Sequence, residues 1–183
     1  AAISGHTASI ATNASDIEIL GAGEVTGLST YLRIGTHNSK PAVIFEDANV
    51  LVLDGSGGTD GTTNGVGNLI VGYDENSSDD KTGSHNLVVG TGHTYSSYGG
   101  LVAGANNNVT AQHASVSGGY NNTASGDLSS VSAGESNTAS GIRSSVSGGR
   151  HNTASGDYSS VSGGSGRAAS GIDDWRAGNL FED

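Results

Sequence analysis

Six histidines and eighteen carboxylates are the side chains of this 183-residue chain that could hold a metal or move a proton. His6, His37, His85, His93, His113 and His151 are scattered, with none at metal-ligand spacing. His85 and His151 each precede an asparagine and read as exposed turn residues. The acidic groups gather twice, at Asp54, Asp60 and Asn64 and at Asp74, Glu75, Asp79 and Asp80. Calcium takes about six to eight converging oxygens. The spacing here fits neither an EF-hand loop nor a Gly-Gly-x-Gly-x-Asp repeat, so solvated turns are the expectation. Asp54, Asp60, Asp79 and Asp80 are the calcium candidates, and no other cofactor is expected. The chain has no G-x-S-x-G elbow, no H-E-x-x-H and no P-loop, and Gly21-Ala22-Gly23 lacks the third glycine of a dinucleotide loop. Without cysteine it has no thiol chemistry, disulfide or Cys-based zinc site. The expectation is a protein that is not an enzyme.

The chemistry that remains is recognition, and it sits where near-identical repeats differ. After a recurring glycine pair come Tyr120-Asn121, Glu135-Ser136, Arg150-His151 and Ser165-Gly166. After a recurring Ser-Gly come Asp127-Leu128, Ile142-Arg143, Asp157-Tyr158 and Ile172-Asp173. Variable turn residues on a constant scaffold are where binding surfaces are built. Tyr120, Asn121, Leu128, Glu135, Arg143, Arg150, His151 and Tyr158 are therefore the candidate ligand contacts.

The elements that position them follow from the period. Ser-Val-Ser-Gly-Gly-type segments place Val116, Val131, Val146 and Val161 fifteen residues apart. Asn-Thr-Ala-Ser-Gly follows at 122–126, 137–141 and 152–156, with a degraded copy at 167–171. Leu69-Ile70-Val71-Gly72, Leu87-Val88-Val89-Gly90 and Leu101-Val102-Ala103-Gly104 are the same strand with bulkier residues, and Val50-Leu51-Val52-Leu53 is a further plausible unit. A period of 14–18 is too short for helix-pair or propeller repeats. It fits an all-β parallel roll, each coil made of two short strands and two turns. Ile70, Val88, Val102, Val116, Val131, Val146 and Val161 then point inward, and their serine neighbours point out. Stacked Ser, Thr and Asn side chains form ladders along the rod.

Composition agrees. Glycine is 31 of 183 residues, far above the globular share, with one proline and two phenylalanines. A coil filled by Val and Ala buries little, so a second apolar face must be covered by another copy of the chain. Leu69, Val71, Leu87, Val89 and Leu101 are apolar on the outward side, which suits that interface. The formal charge of −11 argues against nucleic acid or an anionic membrane as partner. No apolar run approaches a membrane span, and Ala1-Ala2-Ile3-Ser4-Gly5 does not read as a signal peptide.

These repeats resemble the head domains of trimeric autotransporter adhesins, the YadA-like head family, across about residues 66–175. The resemblance implies a left-handed, trimeric parallel β-roll whose work is attachment, extracellular or on a bacterial cell surface. The ligand would be a surface, matrix component or glycan. The 15-residue period of the last units departs from the family's more usual 14, and neither a heptad stalk nor membrane-anchor strands are readable. Anchoring and self-secretion are therefore not carried over.

Residues 1–47 read as a β-rich cap or assembly segment, with strands at Ile17–Leu20, Tyr31–Ile34 and Val43–Phe45. Residues 48–175 form the roll and 176–183 a capping tail. Trp175, Leu180 and Phe181 would plug the last coil or, alternatively, receive the next subunit of an end-to-end filament. A flat threonine array for ice has only Thr123, Thr138 and Thr153 before Ala168 interrupts it. A glycan lyase would need clustered carboxylates and a cleft. The leading expectation is an adhesive rod; a purely structural fibre subunit is the alternative.

Overall fold

The computed structural model describes residues 31–75 and 78–178, which divide between two compact units, Ala1–Leu51 and Val52–Asp183. Among the described residues there is no helix. The expected strand at Ile17–Leu20, the turn at Gly21–Gly23, His6, Leu180 and Phe181 lie outside them.

The first unit contains β1 (Leu32–His37) and β2 (Lys40–Phe45), an antiparallel hairpin. The strands run through the segment expected to separate them. Asn38 and Ser39 take φ of 48° and 63°, which makes the two-residue loop that matches strand twist. Directly paired residues share a face, so Leu32, Ile34 and Thr36 lie beside Phe45, Val43 and Pro41.

The second unit is a parallel β-solenoid. Its longer sheet stacks β3 (Leu69–Val71), β4 (Leu87–Thr91), β6 (Leu101–Ala105), β8 (Ser115–Val116), β10 (Ser130–Val131), β12 (Ser145–Val146), β14 (Ser160–Val161) and β16 (Trp175–Arg176) in that order. Its shorter sheet stacks β5 (Thr94–Tyr95), β7 (Asn108–Val109), β9 (Thr123–Ala124), β11 (Thr138–Ala139), β13 (Thr153–Ala154) and β15 (Ala168–Ala169). The registers Leu69↔Leu87, Leu87↔Leu101, Leu101↔Ser115 and Ser115↔Ser130 give coils of 18, 14, 14 and then 15 residues.

Between the sheets, Val88, Val102, Val116, Val131, Val146 and Val161 are buried against Tyr95, Val109, Ala124, Ala139, Ala154 and Ala169. Full burial of one such valine contributes about 1.5–3 kcal/mol. Ile70 departs from the expectation. It holds the register of Val88 yet is 44% exposed, because among the described residues the shorter sheet begins only at β5 and no strand faces it. Residues 50–53 form no strand, so the stack begins at β3. Trp175 pairs with Ser160 on the outward side and is 64% exposed, its Nε1 donating to Ser162 Oγ at 2.9 Å. It does not cover the core; the inward register at that rung belongs to Arg176.

The interior is not purely apolar. Asn107, Asn122, Asn137 and Asn152 are fully buried in one column. The Oδ1 of each accepts the backbone N–H one rung on, at Asn122, Asn137, Asn152 and Arg167, over 2.7–3.0 Å. The Nδ2 of Asn122, Asn137 and Asn152 donates to a carbonyl four residues back and to another twelve ahead. His93 begins the column, its Nδ1 accepting the Asn107 N–H at 3.2 Å. Buried amides with every group paired strengthen a core and specify its register.

Glycine has two roles in the coil. Gly119 has φ of 88°, and a Cβ there would lie 2.2 Å from Gly134 O. Gly126 lacks positive φ; a Cβ on it would meet Gly141 O at 2.1 Å, so its smallness serves rung-to-rung approach rather than turn dihedrals.

Candidate ligand-binding ridges

The two turns of each coil put the candidate contacts on two separate ridges. Leaving the longer sheet, the chain passes Tyr120, Glu135, Arg150 and Ser165 on successive rungs, joined by parallel bridges. Beside them Asn121, Ser136 and His151 all take φ near 56°. Returning from the shorter sheet it passes Asp127-Leu128, Ile142-Arg143 and Asp157-Tyr158. Leu128, Arg143, Tyr158 and Asp173 have φ of 55–61°. The eight candidates therefore do not form one site. Tyr120, Asn121, Glu135, Arg150 and His151 belong to the first ridge, and Leu128, Arg143 and Tyr158 to the second.

Left-handed backbone at ordinary residues costs roughly 1–2 kcal/mol each, and rung-to-rung hydrogen bonds hold it. On the second ridge His113, Leu128, Arg143, Tyr158 and Asp173 donate their N–H to Tyr98, Gln112, Asp127, Ile142 and Asp157 carbonyls at 2.8–3.0 Å. The first ridge repeats this, with Asn121, Ser136 and His151 N–H bonded to Ala105, Tyr120 and Glu135 carbonyls. Side chains so mounted point away from the coil, and Tyr120, Leu128 and Tyr158 are about half exposed.

The second ridge is the more tightly organised. The Tyr98 hydroxyl bonds Gln112 Oε1, and Gln112 Nε2 donates to Asp127 Oδ2 at 2.7 Å. Asp157 Oδ1 accepts the Ile142 N–H at 2.9 Å. Arg143 Nη1 donates to the Tyr158 hydroxyl at 2.8 Å, its guanidinium 5.5 Å from the ring centroid. The Tyr98 and His113 rings meet edge to face at 5.3 Å. On the first ridge the side-chain link is Asn121 Nδ2 to Ser136 Oγ at 3.3 Å. Tyr98, Gln112 and His113 are not marked as ridge residues by the Ser-Gly turn motif, which begins at Ser125-Gly126. The 14-residue step from Tyr98 to Gln112 and the 15-residue step to Asp127 were the signal.

The acidic candidates serve their own turns. Asp54 Oδ1 accepts the Ser56 N–H at 2.8 Å and hydroxyl at 2.7 Å, which hold its carboxyl below the usual range. Asp80 is lowered in the same way by the hydroxyl and N–H of Thr82, and Glu75 by the Thr91 hydroxyl. Asp74 Oδ2 accepts the Tyr95 hydroxyl at 2.8 Å and lies 3.0 Å from Lys81 Nζ. Burial, with that bond, raises the Tyr95 phenol. Among the described residues no three His, Asp or Glu side chains are grouped to hold a metal ion, and Asp54, Asp60, Asp79 and Asp80 do not converge.

His85 is not the exposed turn residue expected. It lines a cavity of about 310 Å³ with Leu53, Asp54, Gly55, Gly57, Gly58 and Thr59. Its Nε2 is 3.4 Å from Asp54 Oδ1 and accepts the Asp54 N–H at 3.3 Å. Its Nδ1 is buried without a partner.

No protein-family model matches the chain, and no curated protein matches it. The class it can be assigned is therefore the one its own geometry defines, a parallel β-solenoid bearing two side-chain ridges.

Proposed function

We propose that this protein is a non-enzymatic adhesive rod, a homotrimeric roll, extracellular or on a bacterial cell surface, that attaches to a surface or matrix ligand through its ridges. One observation carries the reading. Three consecutive coils, from Val116 to Ala154, repeat the same buried Val, Asn and Ala, while the residues their turns hold outward change from rung to rung. A structural spacer has no need of that contrast. The trimer is supported by Leu69, Val71 and Leu87, which face out of the coil and are exposed where later rungs carry serine. Apolar residues so placed suit contact with further copies.

The test combines light scattering with binding to immobilised matrix proteins and glycans. A fixed trimer is expected, binding at least one surface and losing it when Arg143 and Arg150 are both changed to Ala. A monomer at every concentration, or no binding to any surface, refutes the reading.

The structural-fibre alternative has its own support. Among the described residues β3 and β16 each have one open edge, and an open edge is a template for another strand. Particles that lengthen with concentration would favour the fibre.

A further inference from the structure

We infer that the second ridge is a track for a linear, uncharged glycan lying along the rod axis, one sugar ring to each rung. This rests on the adhesive reading and names the ligand class for one of its two ridges.

The backbone disfavours one common mode of recognition. The N–H groups of His113, Leu128, Arg143, Tyr158 and Asp173 are spent on the neighbouring rung at 2.8–3.0 Å. An extended peptide gains its affinity by adding a strand to a run of free backbone groups, and one N–H on each of these rungs is already taken. Recognition falls to side chains.

Those side chains match the chemistry of a sugar. A pyranose has apolar C–H faces and a rim of hydroxyls that both donate and accept. Tyr98, His113 and Tyr158 supply rings for the faces. Asp127 and Asp157 each have one carboxylate oxygen engaged within the ridge and the other left for sugar hydroxyls, while Gln112, with both its oxygen and its nitrogen engaged, keeps one N–H and one lone pair. The bonds linking Tyr98, Gln112 and Asp127, and those linking Arg143 to Tyr158, hold these groups in place before a ligand arrives. Ordering cost is then already met.

Charge selects among glycans. Asp127, Asp157 and Asp173 outnumber Arg143 along this ridge, and the whole chain carries −11. A sulfated or uronate-rich polymer would be repelled. Geometry sets the direction, since rungs recur every ~4.8 Å, about the length of one sugar ring in an extended chain. The first ridge offers two rings, Tyr120 and His151, in place of three.

The experiment is calorimetric titration of the full chain with cello- and chito-oligosaccharides of increasing length, beside dextran sulfate. Affinity should rise with oligomer length and level off once the ridge is spanned. Tyr158→Ala should weaken the longest oligomer about tenfold, as loss of a stacking ring does. Tyr158→Phe keeps the ring and should keep most of the binding, and Thr138→Ala, on the outer face of the shorter sheet, should leave it unchanged. The inference is overturned if neither series binds, if affinity is independent of length, if dextran sulfate binds more tightly, or if Tyr158→Ala has no effect. Binding of a matrix protein through the Tyr120 ridge would overturn the glycan track and leave adhesion standing. Failure to bind any surface overturns both.

Discussion

Replacing Asn137 by Ala tests the claim that the buried amide column holds the coils in register. The side chain is fully buried. Its Oδ1 accepts the Asn152 N–H at 3.0 Å, and its Nδ2 donates to Ala133 O at 3.2 Å and Gly149 O at 2.9 Å. Gly149 O keeps a second partner in the Glu135 N–H. The Asn152 N–H is left buried and unpaired, whereas Ala133 is exposed and its carbonyl can turn to water. One buried orphan costs about 1–3 kcal/mol, and the loss should be of that size. Asn137→Asp separates pairing from volume. It keeps an acceptor for Asn152 but turns an oxygen toward both carbonyls, and should cost at least as much. Urea unfolding followed by circular dichroism, at fixed protein concentration, gives the total. Because stacked repeats can open locally, hydrogen exchange at the Asn152 amide gives the site. A loss below about 1 kcal/mol with unchanged exchange at Asn152 would refute the reasoning.

Other consequences follow from the same interior and turns. Ser129, Ser144 and Ser159 have buried hydroxyls without a partner, and Ala114 fills the same column one rung earlier; Ser144→Ala should raise the urea midpoint, by about 1 kcal/mol, and a fall would show the hydroxyl is bonded. Leu128 sits at φ of 61°, so Leu128→Asn, better suited to left-handed backbone, should stabilise by up to about 1 kcal/mol in thermal melts, and a clear loss would count against strain there. Asp54, Asp80 and Glu75 are lowered by hydrogen bonds in the fold. Their contribution is present above their ordinary values and lost as pH falls through the lowered ones, so the protection of the Ser56 and Thr82 amides, relative to their unstructured exchange rates at the same pH, should fall below about pH 4. Tyr95 is raised, so its contribution is whole below about pH 10 and lost as pH climbs beyond it; an alkaline melt of Tyr95→Phe should lack that decline.

The sequence made the coil legible because packing repeats itself. Val116 and Ala124 recur at fixed spacing since each must fill the same space above its predecessor, and the buried series follows that spacing. What escaped was set by neighbours instead of period. Ile70 carries the right residue in the right register and still fails to be buried, because burial requires a facing strand and the shorter sheet starts a rung later. Trp175 has the size of a plug, but its side of the strand follows from pairing with Ser160, which composition does not reveal. The ladder of asparagines was readable as a repeat, whereas its place inside the coil was not. An Asn before a Thr-Ala strand suits an exposed turn equally well until its carbonyl partners are known.

The ridges invert the usual relation between conformation and residue type. Left-handed positions are ordinarily where glycine or asparagine is demanded, yet Leu128, Arg143 and Tyr158 hold them on consecutive rungs. The conformation there is imposed by N–H bonds to Gln112, Asp127 and Ile142 carbonyls in the preceding rung, so it does not depend on which side chain is attached. Apart from Asn and Asp, which suit this region better, an unbranched side chain can then be exchanged at about the same backbone cost, while a branched Cβ at this φ would add a clash. Replacing Tyr158 by Val should therefore lower stability more than replacing it by Ala, by about 1 kcal/mol in urea unfolding. Equal losses would mean the ring, and not the backbone, fixes this turn.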